Sequence, residues 1–282
     1  MIEKNNIVPI LTGKKMPATA NFKEPLLPLE KMRLLLPEAK KNYAQAEPFP
    51  HIYLDDFFDN NVVERLLEEF PGENDIDWIK YYDGHQKKLA NENEQNIGLF
   101  SRYVLYSLNS SLFLRFLEEL TGITNLISDP SFRGGGLHNI YRGGKLGVHA
   151  DFNKHEQYGL DRRLNLLLYL NKDWREEYGG HIELWGRDMK ECVRSYLPKF
   201  NRVVIFTTTK ASFHGHPEPL SCPEHMSRKS LALYYYTNGR PEEEKNINHS
   251  TVFKLRPNEK VEGKLTLKTK KVFRRWSKLF KK

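Results

Sequence analysis

From residue 131 onward the chain is a succession of short apolar runs. LHNIYR, LGVHADF, RLNLLLYL, GGHIELWG, RVVIFTTT and SLALYYYT follow one another, separated by glycine and polar clusters. Runs of this length, rich in β-branched and aromatic residues and bounded by turn signals, form strands. Many short strands in one segment predict a β-sandwich or jelly roll. Helical patterns precede them. Asp59 is placed to cap a helix through 70, with Val62, Val63, Leu66, Leu67 and Phe70 as its apolar stripe. SLFLRFLEEL (111–120) reads as a second helix, closed by Thr121 and Gly122. PFPHIYLDDFF (48–58) reads as extended, and the Pro- and Lys-rich residues 1–46 as a loose lead-in with one helix over 28–36.

Composition narrows the class. With 282 residues, 39% hydrophobic and 28% charged, the chain can bury a sizeable core. Its best apolar run, LNLLLYL, is strand-sized, too short to span a bilayer. MIEKNNIVPI lacks the pattern of a signal peptide. Cys192 and Cys222 form no CxxC motif and suggest no disulfide framework. A cytoplasmic location is therefore expected, and the N-x-S sequons at Asn109 and Asn248 are read as chance matches. The net charge of +8 is local: residues 254–282 carry +10, so the remaining 253 residues carry −2. A nucleic-acid groove across the body is not expected. TLKTKKVFRRWSKLFKK (266–282) sets Val272, Phe273, Trp276, Leu279 and Phe280 at helical spacing among eight Lys or Arg. Such a basic amphipathic helix suits an anionic membrane surface or an acidic partner; docking on the body is the alternative.

Within the strand-rich part, GVHADFN places His149 and Asp151 two positions apart. In an extended strand both point to one face. A third ligand for a metal is offered by SFHGHPEPL, where His214 and His216 compete. Two histidines and one carboxylate leave open positions opposite them, as in non-haem Fe(II) sites. HGHPE departs from the metallo-hydrolase H-x-H-x-D-H pattern, with Glu218 in place of Asp and no histidine after it. No HExxH and no GxSxG is present, and the glycine clusters RGGG and RGGKLG match neither GxGxxG nor a P-loop and are read as turns.

The run from Leu137 to Thr237 resembles the 2-oxoglutarate and Fe(II)-dependent oxygenases, in their prolyl-hydroxylase-like branch. The resemblance rests on LHNIYRGGKLGVHAD, YLNKDW (169–174), the GG-x-[IL]-x-L strand at 179–184, and FH followed by R-x-S-L. It implies that His149, Asp151 and His214 bind Fe(2+), His214 because it stands between an aromatic and a small residue. It implies that Arg228 grips the far carboxylate of 2-oxoglutarate and that Tyr141 and Tyr169 line the cosubstrate pocket. Two departures stand out: LSCPEHM lengthens the interval from His214 to Arg228, and Asn165 stands where a small hydroxyl residue is common. His216 occupies a place more often apolar and is expected as pocket wall. Arg162 and Arg163 are expected as a solvated strand entrance, and His155 as exposed.

The resemblance implies a mainly β fold: a double-stranded β-helix, or jelly roll, with supporting N-terminal helices and a basic C-terminal helix. The expected catalytic unit is 47–242, between the lead-in and a basic tail over 243–282. The implied activity is hydroxylation with 2-oxoglutarate and O2 as cosubstrates, releasing succinate and CO2, with ascorbate as a reductant. A prolyl or other side chain of a protein or peptide competes as substrate with a small molecule or glycan. The alternatives are a binding module that keeps the fold without turnover, and a membrane-surface accessory protein of glycan biosynthesis.

Overall fold

The computed structural model describes residues 26–129, 131–244, 248–257 and 259. Among the described residues the first elements are α1 (Leu29–Gln45), β1 (His51–Leu54) and α2 (Asn60–Glu68). A hairpin, β2 (Ile79–Tyr82) and β3 (Gln86–Asn91), leads to α3 (Leu99–Leu108) and α4 (Ser111–Thr121). The strand-rich part then runs β4 (Ile127–Ser128), β5 (Gly136–Tyr141), β6 (Lys145–Ala150), β7 (Asp161–Tyr169) and β8 (Ile182–Trp185). It closes with β9 (Cys192–Tyr196), β10 (Arg202–Thr207), β11 (His214–His216), β12 (Ser227–Thr237) and β13 (Val252–Phe253).

The strands form one antiparallel sheet in the order β1-β10-β7-β12-β5-β3-β6-β11-β8-β9, with β13 beside β6, β2 beside β3 and β4 beside β12. This sheet curls on itself. Tyr169 of β7 and Val204 and Phe206 of β10 share a buried cluster with Ile182 and Leu184 of β8, nowhere adjacent to them in the strand order. The jelly roll expected from the sequence is the result.

The other face of β7, β10 and β12 carries Leu164, Leu166, Leu168, Val203, Ile205, Leu231, Leu233 and Tyr235, and it packs against α1 to α4. A strand buried on both faces reads as an unbroken apolar run, as RLNLLLYL does. The helices form where apolar stripes demand them. Asp59 caps α2 by accepting from the Asn61 amide, and Gly122 ends α4 in the left-handed conformation. The α3 helix, absent from the sequence expectation, is anchored by Glu69, whose carboxylate accepts from the Phe100 and Ser101 amides at 3.2 and 2.8 Å.

Two boundaries differ from expectation. The first helix runs on past Pro37 to Gln45, because Ala39 and Tyr43 are buried and the Tyr43 hydroxyl bonds Thr207 at 2.6 Å. At the other end the sheet continues past 242: Val252 and Phe253 pair with Ala150 and His149, and the Lys254 amide donates to Val148 at 2.8 Å. The basic segment 266–282 lies outside the described residues. Among the described residues no helix is long and apolar enough to cross a membrane, and both cysteines are free.

A chain ending at residue 247 is expected to melt about 3–8 °C lower than the full chain. It loses the half-buried Phe253 ring, worth roughly 1.5–2 kcal/mol, and each kcal/mol shifts the midpoint by about 2–4 °C in a domain of this size. Coincident melting curves would show that β13 adds nothing to the fold.

Candidate active site

Strands β6 and β11 are neighbours, and their register sets His149 opposite His214. Asp151 follows the last residue of β6. One ligand atom from each of His149, Asp151 and His214 lies within 4.8 Å of the others. Both rings are held in the tautomer a metal requires. Nδ1 of His149 faces the Gly147 carbonyl at 2.8 Å, and Nδ1 of His214 faces the Ser212 carbonyl at 2.9 Å. A carbonyl only accepts, so each Nδ1 carries the proton and each Nε2 turns a lone pair inward. Those Nε2 atoms stand 3.5 and 3.4 Å from the Asp151 carboxylate. Two imidazoles and a carboxylate converging this closely fit a divalent metal such as Fe(II). Burial lowers the His214 pKa to about 4, which keeps the ring neutral.

Asp151 is fixed by a buried cation. Arg162 Nη2 stands 3.1 Å from Oδ2, and the Asn165 amide donates to the same oxygen at 2.7 Å. Arg162 in turn donates to Asn165 Oδ1 through Nε and Nη2, at 2.9 and 2.7 Å. Its guanidinium carbon lies 4.4 Å from the Phe152 ring centroid and 3.4 Å from that of Tyr234. Burial alone would raise the Asp151 pKa, but Arg162, His214 and His149 together hold it well below the usual carboxylate range.

Arg228, near the start of β12, is buried deeper in the roll. Its Nε donates to the Gly180 carbonyl at 2.7 Å and its Nη2 to the Tyr169 hydroxyl at 3.1 Å. Gly180 has φ +75°, and a Cβ there would lie 2.6 Å from Leu220 and 3.0 Å from the Arg228 side chain. Glycine is thus required in the GG pair of the sequence motif for Arg228 to fit.

The structure brings together His149, Asp151, His214 and Asn165, and sets Tyr169 on Arg228. Other expectations need correction. Tyr141 pairs with Ser227, one residue out of step with Arg228, so it lies on the opposite face of the sheet, against the helical layer. It does not line the space beside Arg228; its hydroxyl accepts from Asn139 at 3.2 Å. Asn165 donates to the Asp151 carboxylate, which its longer amide can reach. Arg162 and Arg163 are buried rather than solvated, because Asp151 and Asn165 hold the first, and Thr237 and Glu244 the second. His155 is buried too: it faces Asp129 at 3.5 Å and Ser131 at 3.2 Å, pinning the loop that follows Asp151. The sequence reading missed Lys88, which reaches the same interior from β3.

A cavity of about 720 Å³ opens over His149 and Asp151, walled by Tyr81, Leu146, Phe152, Tyr234 and Phe253. Phe253 packs on His149, with ring centroids 5.4 Å apart.

Comparison with known proteins agrees with this arrangement. Residues 135–236 match the 2OG-Fe(II) oxygenase superfamily. Prolyl 3-hydroxylase OGFOD1 of Xenopus laevis is 28% identical over 185 residues, covering 62% of this chain and 32% of that protein. The Mus musculus protein of the same name is 35% identical over 79 residues, 27% of this chain and 14% of the relative. The chain thus spans no more than about a third of the length of either. A prolyl hydroxylase of Trichoplax adhaerens, solved with a hypoxia inducible factor oxygen degradation domain peptide, shares the fold. Its TM-score is 0.52 at 15% identity, over 76% of this chain and 94% of that one. On its motifs, its fold and its three converging side chains, the chain is similar over residues 135–236 to the 2OG-Fe(II) oxygenase superfamily, with prolyl hydroxylases among the proteins it resembles.

Proposed function

We propose that the protein is a 2-oxoglutarate- and Fe(II)-dependent hydroxylase acting on a prolyl side chain of a protein or peptide. The observation that carries the reading is the convergence of His149, Asp151 and His214, the first two lining an open cavity, with Arg228 buried in the same roll. Fe(II), when bound, would couple oxidation of 2-oxoglutarate to succinate and CO2 with transfer of one oxygen to the substrate. The chain's own residues hold and orient. His149 and His214, fixed through Nδ1 on backbone carbonyls, turn their Nε2 atoms toward Asp151, and Arg162 and Asn165 keep the Asp151 carboxylate ionised and turned inward. Arg228 offers a planar fork to the distal carboxylate, with the Tyr169 hydroxyl bracing it. The apolar cluster of Phe49, Ile182, Leu184 and Phe206 keeps water from that end.

A prolyl substrate is favoured by the aromatic walls of the cavity, which suit a flat ring entering from an extended peptide, and by the names of the two curated relatives. Incubation of the iron-loaded protein with proline-containing peptides should release succinate and add one oxygen to a prolyl residue. Succinate release stimulated only by small molecules would move the substrate out of the peptide class. Attachment to an anionic membrane surface through 266–282, and a cytoplasmic location, are proposed on the sequence alone.

Arg228→Lys is expected to raise the KM for 2-oxoglutarate about ten-fold or more. A lysine keeps the charge but cannot hold Gly180 and Tyr169 while forking a carboxylate, and a lost charge-assisted bond is worth about 1.5–3 kcal/mol. An unchanged KM would place the carboxylate anchor elsewhere.

A further inference from the structure

The two histidines that converge on Asp151 are each backed by an aromatic ring, and the two backings come from very different parts of the fold. Phe206 of β10, fully buried, meets His214 edge-on with ring centroids 4.6 Å apart. His214 and His149 stand 4.5 Å apart, and Phe253 of β13 follows at 5.4 Å from His149. His85, exposed in the turn between β2 and β3, stacks on Phe253 at 4.7 Å with the planes 10° apart. Five rings therefore form a chain of contacts from the core to a surface turn: Phe206, His214, His149, Phe253 and His85.

The inner end of that chain is part of the roll. The outer end depends on a strand of two residues that lies beyond the segment 135–236 matching the oxygenase superfamily. A strap of chain holds this strand in place. The His249 amide donates to Asn153 Oδ1 at 2.9 Å, and the Asn153 amide donates to the His249 carbonyl at 3.3 Å. Val252 and Phe253 then pair with Ala150 and His149. Further on, Lys254 Nζ lies over the Phe213 ring at 5.8 Å, and Arg256 Nη1 donates to Glu218 Oε1 at 2.5 Å. Residues 249–256 thus touch both strands that carry the histidines: they pair with β6, reach the residue before His214, and tie to the loop after β11.

We propose that Phe253 is a positioning residue of the metal centre, holding the plane of the His149 ring so that its Nε2 is aimed before a metal arrives. The inference rests on the hydroxylase reading above and extends the centre to a strap outside the matched segment. The hydrogen bond from Nδ1 to the Gly147 carbonyl fixes one atom of the ring and leaves its plane free to tilt. Packing between His214 and Phe253 removes that freedom. A ligand ordered in advance spares the metal the entropy of ordering it, so the gain is read as affinity. Val252 supplies the contrast: it pairs in the same strand but points to the alternate face and is 37% exposed.

The full chain is titrated with Mn(II), followed by paramagnetic resonance, and loaded separately with Co(II), whose visible absorption reports the geometry of its ligands. Phe253→Ala is expected to weaken Mn(II) about ten-fold, the low end for losing a group that orients a ligand, and to shift the Co(II) bands. Phe253→Leu keeps apolar bulk without a flat face and is expected to recover part of the affinity. Val252→Ala is expected to match the unaltered chain in both measurements. Melting curves establish that each variant is folded at the temperature of the titration; where Phe253→Ala is not, Phe253→Leu against Val252→Ala decides, with a several-fold loss expected in the first alone. Unaltered Mn(II) affinity and Co(II) bands in the deciding Phe253 variant overturn the proposal and leave the ring as cover for the fold. An equal loss in Val252→Ala overturns it too, because the effect then belongs to the pairing of the strand. Failure of the unaltered chain to bind either metal overturns instead the hydroxylase reading on which the inference rests.

Discussion

His214→Ala is expected to abolish stoichiometric binding of Fe(II) or Mn(II), weakening it by more than about 100-fold, the upper range for losing even a supporting group. His216→Ala is expected to leave metal binding intact. The two histidines are two residues apart in one short strand, so the contrast isolates geometry from composition. His214 sits opposite His149 with its Nδ1 fixed on the Ser212 carbonyl, and its Nε2 lies 3.4 Å from Asp151. His216 sits opposite Leu146, past a register shift, and belongs to none of the converging ligand groups. The fold should survive the loss of His214, because Arg162 and Asn165 still hold Asp151. Mn(II) titration followed by paramagnetic resonance reads the result directly. Equal metal binding by both variants would overturn the ligand assignment.

Much of this site was legible in the sequence, and the remainder was hidden for identifiable reasons. H-x-D at a strand end and a later histidine are local patterns, and strand alternation converts them into a shared face without further information. The jelly roll was legible because its strands are short, apolar and separated by glycine turns. What stayed hidden depended on which strands become neighbours. Tyr141 is adjacent in sequence to a pocket strand, yet one step of register sends it to the helical face. Arg162 carries the sign of a surface residue, and its burial is made tolerable by Asn165 on its own strand together with the approach of Asp151, Phe152 and Tyr234 from other strands and loops. Lys88 lies in QKKLAN, a stretch with no apolar period, and nothing local separates it from Lys87, which points to the other face and is exposed. The α3 helix was readable in principle: Phe100, Val104, Leu105 and Leu108 form a stripe at helical spacing.

Arg162→Met should be the most destabilising of the single changes considered, and its cost should depend on metal. In the metal-free protein Arg162 is the cation nearest a deeply buried carboxylate, 3.1 Å from Asp151 Oδ2 and 1% exposed. Removing one partner of a buried pair leaves the other uncompensated, at about 3–5 kcal/mol. Met fills most of the space between Phe152 and Tyr234, so the loss is electrostatic more than volumetric. For a domain of this size the melting temperature should fall by roughly 6–20 °C. A divalent metal at His149, Asp151 and His214 supplies the missing positive charge, so the deficit should shrink when Mn(II) saturates the site. By linkage the variant should then bind Mn(II) at least as tightly as the unaltered chain, because the guanidinium no longer competes for Asp151. Its turnover should nevertheless fall, since Asn165 alone would orient the carboxylate. Melting curves with and without saturating Mn(II) separate this account from simple loss of packing. An equal drop under both conditions, or a drop below about 1 kcal/mol, would mean that Arg162 fills space beside Asp151 and does not balance its charge.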